Sequence, residues 1–250
     1  MLDDLKIEYM VLSKETAVEE VKEKMVIFSG LLHEGKQVAF LIRKNALEYD
    51  EKVSFSNNNK MLREDIIKHI IAVSKKDPIV STTGKASREL FELREQNHQP
   101  HQYDFLTVGS MGHSSSIALG IALQKPNKKI WIIDGDGSAL MHMGAMAVIA
   151  DQKPENLVHI IINNGSHESV GGQPTVMNNV DVPSLAKSLG YSYSTSVDNF
   201  IDLDRVLNEV KNNKQLSLVE IKSAIGARNN LGRPTTSTFE NKQAFMKYMK

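Results

Sequence analysis

Two short polar phrases, each at the end of an apolar run, carry the most legible chemistry in this chain. Gly135-Asp136-Gly137-Ser138 follows Ile130-Trp131-Ile132-Ile133, and Asn163-Asn164 follows the apolar run 158–162. An aspartate carboxylate and a side-chain amide are hard oxygen donors of the kind Mg²⁺ takes in octahedral geometry, leaving positions for phosphate oxygens and water. Glycines on both sides of Asp136 let the backbone turn sharply and let a diphosphate approach closely. Residues 138–162 suffice for a helix and a returning strand, so the two phrases are expected at the carboxyl ends of neighbouring parallel strands. Together they predict a magnesium-diphosphate site.

The elements that must position these phrases are read from hydrophobic period and punctuation. From Met61 onward helix and strand alternate in the manner of a parallel sheet. Helices are expected over 62–75, 85–96, 114–124, 140–151, 182–189, 203–212 and 238–249. Strands are expected over 78–81, 105–108, the run ending in Asp134, the run ending in Asn163, and 216–221. The fold class is therefore α/β, a parallel sheet flanked by helices on both faces, with right-handed crossovers placing the strand-end loops along one edge. Before it, Ser13 is expected to cap a helix to about residue 32, Gly35 to stop it, and 37–43 to form a strand. This helix-strand appendage is too small to bury its own faces. The polar stretch 46–60, rich in charge and asparagine, reads as a linker between the appendage, 1–45, and the main domain, 61–250.

Composition narrows the function classes. Of the 250 residues, 30 are Lys or Arg and 30 Asp or Glu, so no global field attracts nucleic acid or an anionic membrane, and anion binding must be local. The absence of cysteine excludes disulfides, thiolate metal sites and a thiol nucleophile. No apolar stretch reaches the roughly 20 residues of a membrane span, and the acidic start Met1-Leu2-Asp3-Asp4 lacks a secretion-signal layout, so a cytoplasmic protein is expected.

Among other reactive residues, His113 and His167 in strand-end loops are candidates for proton transfer or anion binding, because imidazole titrates near neutral pH. His142 and His159, in a helix and a strand, read as structural. Glu168 reads either as an acid/base group or as a solvated loop carboxylate. The glycines in Ser169-Val170-Gly171-Gly172-Gln173-Pro174-Thr175 would allow a covering loop that excludes water.

The Gly-Asp-Gly and double-Asn pair resembles the signature of thiamine-diphosphate enzymes, and the resemblance covers about residues 61–250 as their diphosphate-binding domain. It implies thiamine diphosphate and Mg²⁺ as cofactors, with the metal held by the Asp136 carboxylate, the Asn164 side chain and the Ser166 carbonyl, and with Asn163 structural. It also implies cofactor contacts along Gly135 to Ser138 and at His167. Val108-Gly109-Ser110-Met111-Gly112-His113 is similar to the segment in which a glycine carbonyl, here Gly109, meets the aminopyrimidine and a bulky apolar residue, here Met111, lies under the bent cofactor. Ser81-Thr82-Thr83-Gly84-Lys85 is similar to the loop at the diphosphate, with Thr83 and Lys85 as contacts, although Lys85 also reads as a solvated first-turn lysine.

The longer phrases, residues 82–91, 107–113 and 163–175, resemble those of phosphonopyruvate decarboxylases, with sulfopyruvate decarboxylases as the near alternative. That resemblance implies loss of CO₂ from a small 2-oxo acid, 3-phosphonopyruvate, with Lys85, Arg88, His113 and His167 as candidates to balance the anionic substrate. The family also needs a pyrimidine-binding domain that presents an activating glutamate. Residues 1–45 resemble only its closing helix and strand, and no position matches the glutamate. The resemblance therefore implies an oligomer in which a pyrimidine-domain chain completes the site.

Overall fold

The computed structural model describes residues 1–48 and 54–250. The chain divides into two compact units, 1–53 and 54–250. Of the expected linker, residues 49–53 lie outside the described residues, while 54–60 belong to the second unit.

The first unit is strand-helix-strand rather than helix-strand. β1 (Glu8–Leu12) and β2 (Val38–Ile42) pair in parallel, Glu8 opposite Val38 and Leu12 opposite Ile42, joined by α1 (Val18–His33). A parallel pair needs such a crossover, because a hairpin cannot reverse the chain twice. Ser13 is not the helix cap: its hydroxyl lies 3.3 Å from Thr16 Oγ1, and α1 begins after Ala17 without a side-chain cap. Among the described residues of this unit Phe28 alone is buried, its ring 5.0 Å from that of Phe40.

The second unit is built on six parallel strands in the order β4-β3-β5-β6-β8-β7. Its elements run α2 (Arg63–Ser74), β3 (Ile79–Ser81), α3 (Lys85–Gln96), β4 (Asp104–Leu106), α4 (Ser114–Gln124), β5 (Ile130–Gly135), α5 (Asp136–Met141), α6 (Gly144–Gln152), β6 (Leu157–Asn163), α7 (Val182–Leu189), β7 (Tyr193–Val197), α8 (Phe200–Asn212), β8 (Ser217–Lys222) and α9 (Thr238–Tyr248). Alternate residues of the central strands enter opposite cores, as the pleat requires. Trp131, Ile133, Ile160 and Ile162 pack with α2, α3 and α8, whereas Ile130, Ile132, Leu157 and Ile161 pack with α4, α6 and α7. Both faces are covered, which is why β6 is buried along its whole length.

Three elements differ from expectation. β7, Tyr-Ser-Thr-Ser-Val, was not expected, because an edge strand with one half-exposed face needs no apolar run. The helix expected over 140–151 is two, α5 starting at Asp136 and α6 at Gly144. β4 ends at Leu106, not 108, so that Gly109 and Ser110 turn with φ of +69° and +44°.

Sheet order sets the site. The chain passes from β3 to β4 on one side and returns to β5 on the other, so helices α3 and α4 leave on opposite faces of the sheet. The loops after β3 and β5 diverge at this switch, and a crevice opens at their carboxyl ends. Edge strand β4 is held by the buried Arg94–Asp104 pair at 2.8 and 2.9 Å, and by the Asn241 amide, which accepts from Leu106 N and donates to the Asp104 carbonyl. No helix among the described residues is long and apolar enough to cross a membrane.

Candidate functional site

The crevice has a cavity volume of about 90 Å³ and is lined from four strand ends and one helix start. Thr82, Thr83, Gly84 and Lys85 come from the loop after β3 and the first turn of α3, and Gly135 to Ser138 from the end of β5. Asn164, Ser166, His167 and Glu168 follow β6, Met111 comes from the loop after β4, and Arg63 opens α2. Of the residues expected at the site, all but Arg88, Gly109, Ser110 and His113 line this space.

Register brings the two polar phrases together: Gly135 pairs with Ile162, so Asp136 and Asn164 emerge side by side from β5 and β6. Asp136 is 4% exposed, and its Oδ2 accepts from the Thr175 hydroxyl at 2.6 Å. Burial pushes its carboxyl up, against hydrogen bonds from Thr175 and from backbone amides. Among the described residues no Lys or Arg pairs with it, and no three His, Asp or Glu side chains gather as a metal site. One buried carboxylate without a counter-cation, beside an amide and a backbone carbonyl, is a donor set for a hard divalent ion that takes its other ligands from phosphate and water. The residues present thus fit Mg²⁺ with a diphosphate.

Close packing explains two glycines. A Cβ on Gly137 would stand 2.9 Å from His167 Nδ1, so the imidazole lies against the Gly-Asp-Gly turn. Gly112, at φ +91°, would place a Cβ 2.6 Å from the His142 ring and 3.0 Å from the Ser138 carbonyl. Its amide donates to Ser138 Oγ at 3.0 Å, and Ser138 Oγ lies 2.9 Å from Thr82 Oγ1, which ties the loops after β3, β4 and β5 together.

The loop after β6 is compact. Asn164 Oδ1 accepts from Ser166 N at 3.0 Å, Ser166 Oγ donates to the Gly172 carbonyl, His167 N donates to the Gln173 carbonyl, and Thr175 N donates to the Gly165 carbonyl. Asn163 points away into the sheet and donates to Glu220 at 2.7 Å. Asn57, expected in a linker, donates to the Asn164 carbonyl at 2.8 Å and the Ser223 carbonyl at 2.9 Å, so it fastens the chain beside the crevice.

A charged wall closes one side. Glu168 Oε1 meets Lys85 Nζ at 2.6 Å, its Oε2 meets Arg63 Nη1 at 2.7 Å, and Oε2 also accepts from Asn164 Nδ2 at 3.0 Å. Arg63 in turn grips Glu89 with Nε and Nη2 at 2.7 and 2.8 Å. Burial pushes the Glu168 carboxyl up, but Arg63 and Lys85 outweigh it and hold the group below the usual carboxylate range. In this state Glu168 is an anion and a hydrogen-bond acceptor rather than a proton donor.

Four expected residues stand elsewhere. The His113 ring lies 4.0 Å from that of His142 and tilted 39° to it, outside the crevice, because α4 begins there and carries it past the switch point. Gly109 and Ser110 line a separate groove beside β4 with Phe105, Val108 and Phe239. Arg88 points to the carbonyls of Leu231 and Gly232 and so holds a loop instead of facing the crevice. Arg63 and Thr175, in contrast, were not expected. Arg63 is 105 residues from Glu168 and reads as a solvated first-turn residue, and Thr175 carried only the weak signal of a loop hydroxyl after Gln173-Pro174.

Comparison with known proteins agrees with this architecture. Residues 82–221, more than half of the chain, match the family described as "Thiamine pyrophosphate enzyme, C-terminal TPP binding domain". The phosphonopyruvate decarboxylase of Streptomyces hygroscopicus is 37% identical over 170 residues, covering 68% of this chain and 41% of that protein. The sulfopyruvate decarboxylase subunit beta of Methanocaldococcus jannaschii is 38% identical over 154 residues, covering 60% of this chain and 79% of that one. The chain thus spans about two fifths of the phosphonopyruvate decarboxylase and most of the sulfopyruvate decarboxylase subunit. In fold, it superposes on a thiamine diphosphate-dependent 4-hydroxybenzoylformate decarboxylase of Rhodococcus jostii with a TM-score of 0.55 at 19% identity, over 71% of this chain and 35% of that chain. A sheet switch that gathers Asp136, Asn164 and the loop 82–85, and a family match spanning those same elements, agree: the chain belongs to the thiamine-diphosphate enzymes, through their C-terminal cofactor-binding domain.

Proposed function

We propose that this chain is the diphosphate- and Mg²⁺-binding part of a decarboxylase that converts 3-phosphonopyruvate to phosphonoacetaldehyde and CO₂ in the cytoplasm, a step of phosphonate biosynthesis. The observation that carries the reading is Asp136, buried at the switch point without a counter-cation, beside Asn164. In this reading the Asp136 carboxylate, Asn164 Oδ1 and the Ser166 carbonyl hold the metal. Thr83, Gly84, Lys85 and Ser138 surround the diphosphate, with the N-terminal amides of the twelve-residue α3 adding favourable dipole. Met111 lines the crevice where it would support the cofactor, which supplies the electron sink for loss of CO₂. His167, packed on Gly137, would donate to a phosphate oxygen or carry a proton. The compact loop 165–175 shields the cavity from water.

The first unit, 1–53, is read as the closing part of a pyrimidine-binding domain, and the activating glutamate is assigned to a partner chain within an oligomer. The relative from M. jannaschii, named as a subunit and covered over 79% of its length, favours this division and makes sulfopyruvate the second substrate reading. Calorimetric titration with thiamine diphosphate and Mg²⁺, on the wild type and Asp136→Ala, with and without a pyrimidine-domain chain, tests both cofactor and partner. Binding that requires Asp136 and strengthens with the partner supports the reading, and turnover of phosphonopyruvate against sulfopyruvate then decides the substrate. Absence of binding in every combination removes it.

A further inference from the structure

The charged wall beside the crevice has the geometry of an anion site already filled by the protein's own carboxylate. One oxygen of Glu168 is held by Lys85 and the other by Arg63, at 2.6 and 2.7 Å, and the side chain is 10% exposed. A carboxylate with each oxygen on a different cation occupies the place that two oxygens of a phosphonyl or phosphoryl group would take. Arg63 is pre-set for this: Nε and Nη2 are committed to Glu89, and Nη1 is the donor that faces Glu168.

We infer that Glu168 is a built-in competitor at an oxyanion subsite formed by Lys85 and Arg63, which a phosphonyl or phosphoryl group occupies once Glu168 turns out. With Glu168 in place the two cations face two carboxylates, so the wall is balanced and offers an incoming dianion no net positive charge. With Glu168 displaced, Glu89 still neutralises one cation and a single positive charge is left for the ligand. The displacement also frees Asn164 Nδ2, since that amide donates to the same Glu168 oxygen that Arg63 holds. Filling the subsite therefore also changes what holds the Asn164 side chain, whose Oδ1 keeps its bond from Ser166 N. Arg63 and Glu168 so become determinants of anion recognition, resting on the function proposed above.

The test is calorimetric titration of the full chain with inorganic diphosphate and, separately, with methylphosphonate, in wild type, Glu168→Gln, Glu168→Asp and Lys85→Met. Removing the competitor should tighten anion binding about tenfold in Glu168→Gln, the scale of one lost charge-assisted bond. Glu168→Asp, too short to reach both cations, should tighten it in the same direction and serves if the glutamine variant misfolds. Lys85→Met should weaken binding about tenfold. Unchanged or weaker binding in a folded Glu168 variant, judged by its near-UV circular dichroism, overturns the inference. Repeating the methylphosphonate titration at saturating Mg²⁺ and thiamine diphosphate identifies the source: retained affinity assigns the subsite to the substrate's phosphonyl group, competitive loss to the cofactor's diphosphate. Cofactor binding that needs Asp136 alongside inert Glu168 variants would sink this inference and leave the proposed function standing. Tightened anion binding without any cofactor binding would do the reverse.

Discussion

The Thr175 hydroxyl donates to Asp136 Oδ2 at 2.6 Å, linking the loop after β6 to the first residue of α5. The bond fixes one oxygen of a carboxylate that lines the crevice. Thr175→Val keeps the side-chain shape and removes the donor, so it is expected to weaken Mg²⁺-dependent thiamine-diphosphate binding about tenfold while Thr175→Ser stays near wild type. Calorimetry on the two variants decides it, and equal affinities would deny Thr175 an orienting role.

Gly112 and Gly137 separate backbone need from cavity need. Gly112→Ala combines φ of +91° with a Cβ 3.0 Å from the Ser138 carbonyl, and is expected to lower folding stability by about 1–3 kcal/mol. Gly137→Ala meets only the movable His167 ring at 2.9 Å and the Thr175 methyl at 3.9 Å, so stability should hold while cofactor affinity falls. Urea denaturation and calorimetry on the same pair of proteins should show the two losses in opposite proportion.

The Arg94–Asp104 pair is buried on both sides, each side chain 1% exposed, and joins α3 to edge strand β4. Arg94→Met leaves Asp104 without its partner in the interior and is expected to cost about 3–5 kcal/mol. Arg94→Met with Asp104→Leu should recover much of that loss, because no charge is then stranded. Denaturant midpoints that rank the double variant below the single one would refute this.

Alkaline pH should stabilise the second unit through Lys129. Burial pulls its ammonium down to about 8 from the ordinary 10.5, against the favourable Asp77 carboxylate and with help from Lys211. Between those values the unfolded chain holds a proton that the folded chain has released, so this contribution grows as pH rises from 8 to 10.5 and is lost as pH falls through 8. Solvent screening at a half-exposed group keeps the effect small. Lys129→Met should be favoured over wild type more at pH 7.5 than at pH 9.5, as read from denaturant midpoints, and a constant difference would rule it out.

What local sequence determined is the set of elements whose burial leaves a periodic trace. α3, α4 and α7 have the bounds expected from the sequence, α7 with Asp181 as its cap, and β5 and β6 carry the mostly apolar runs that two covered faces demand. The glycines around Asp136 and the doubled Asn at the end of β6 stood out because turn residues at the ends of such runs need a reason. Tertiary structure alone decided the rest. β7 is polar and exists by pairing with β8, and β1 exists by pairing with β2. Arg63 enters the crevice from 105 residues away, Thr175 reaches Asp136 across 39, and His113 leaves it because α4 starts on the other side of the switch. Such contacts depend on strand order, a long-range choice set by which faces can be buried together, and no residue's neighbours along the chain record it.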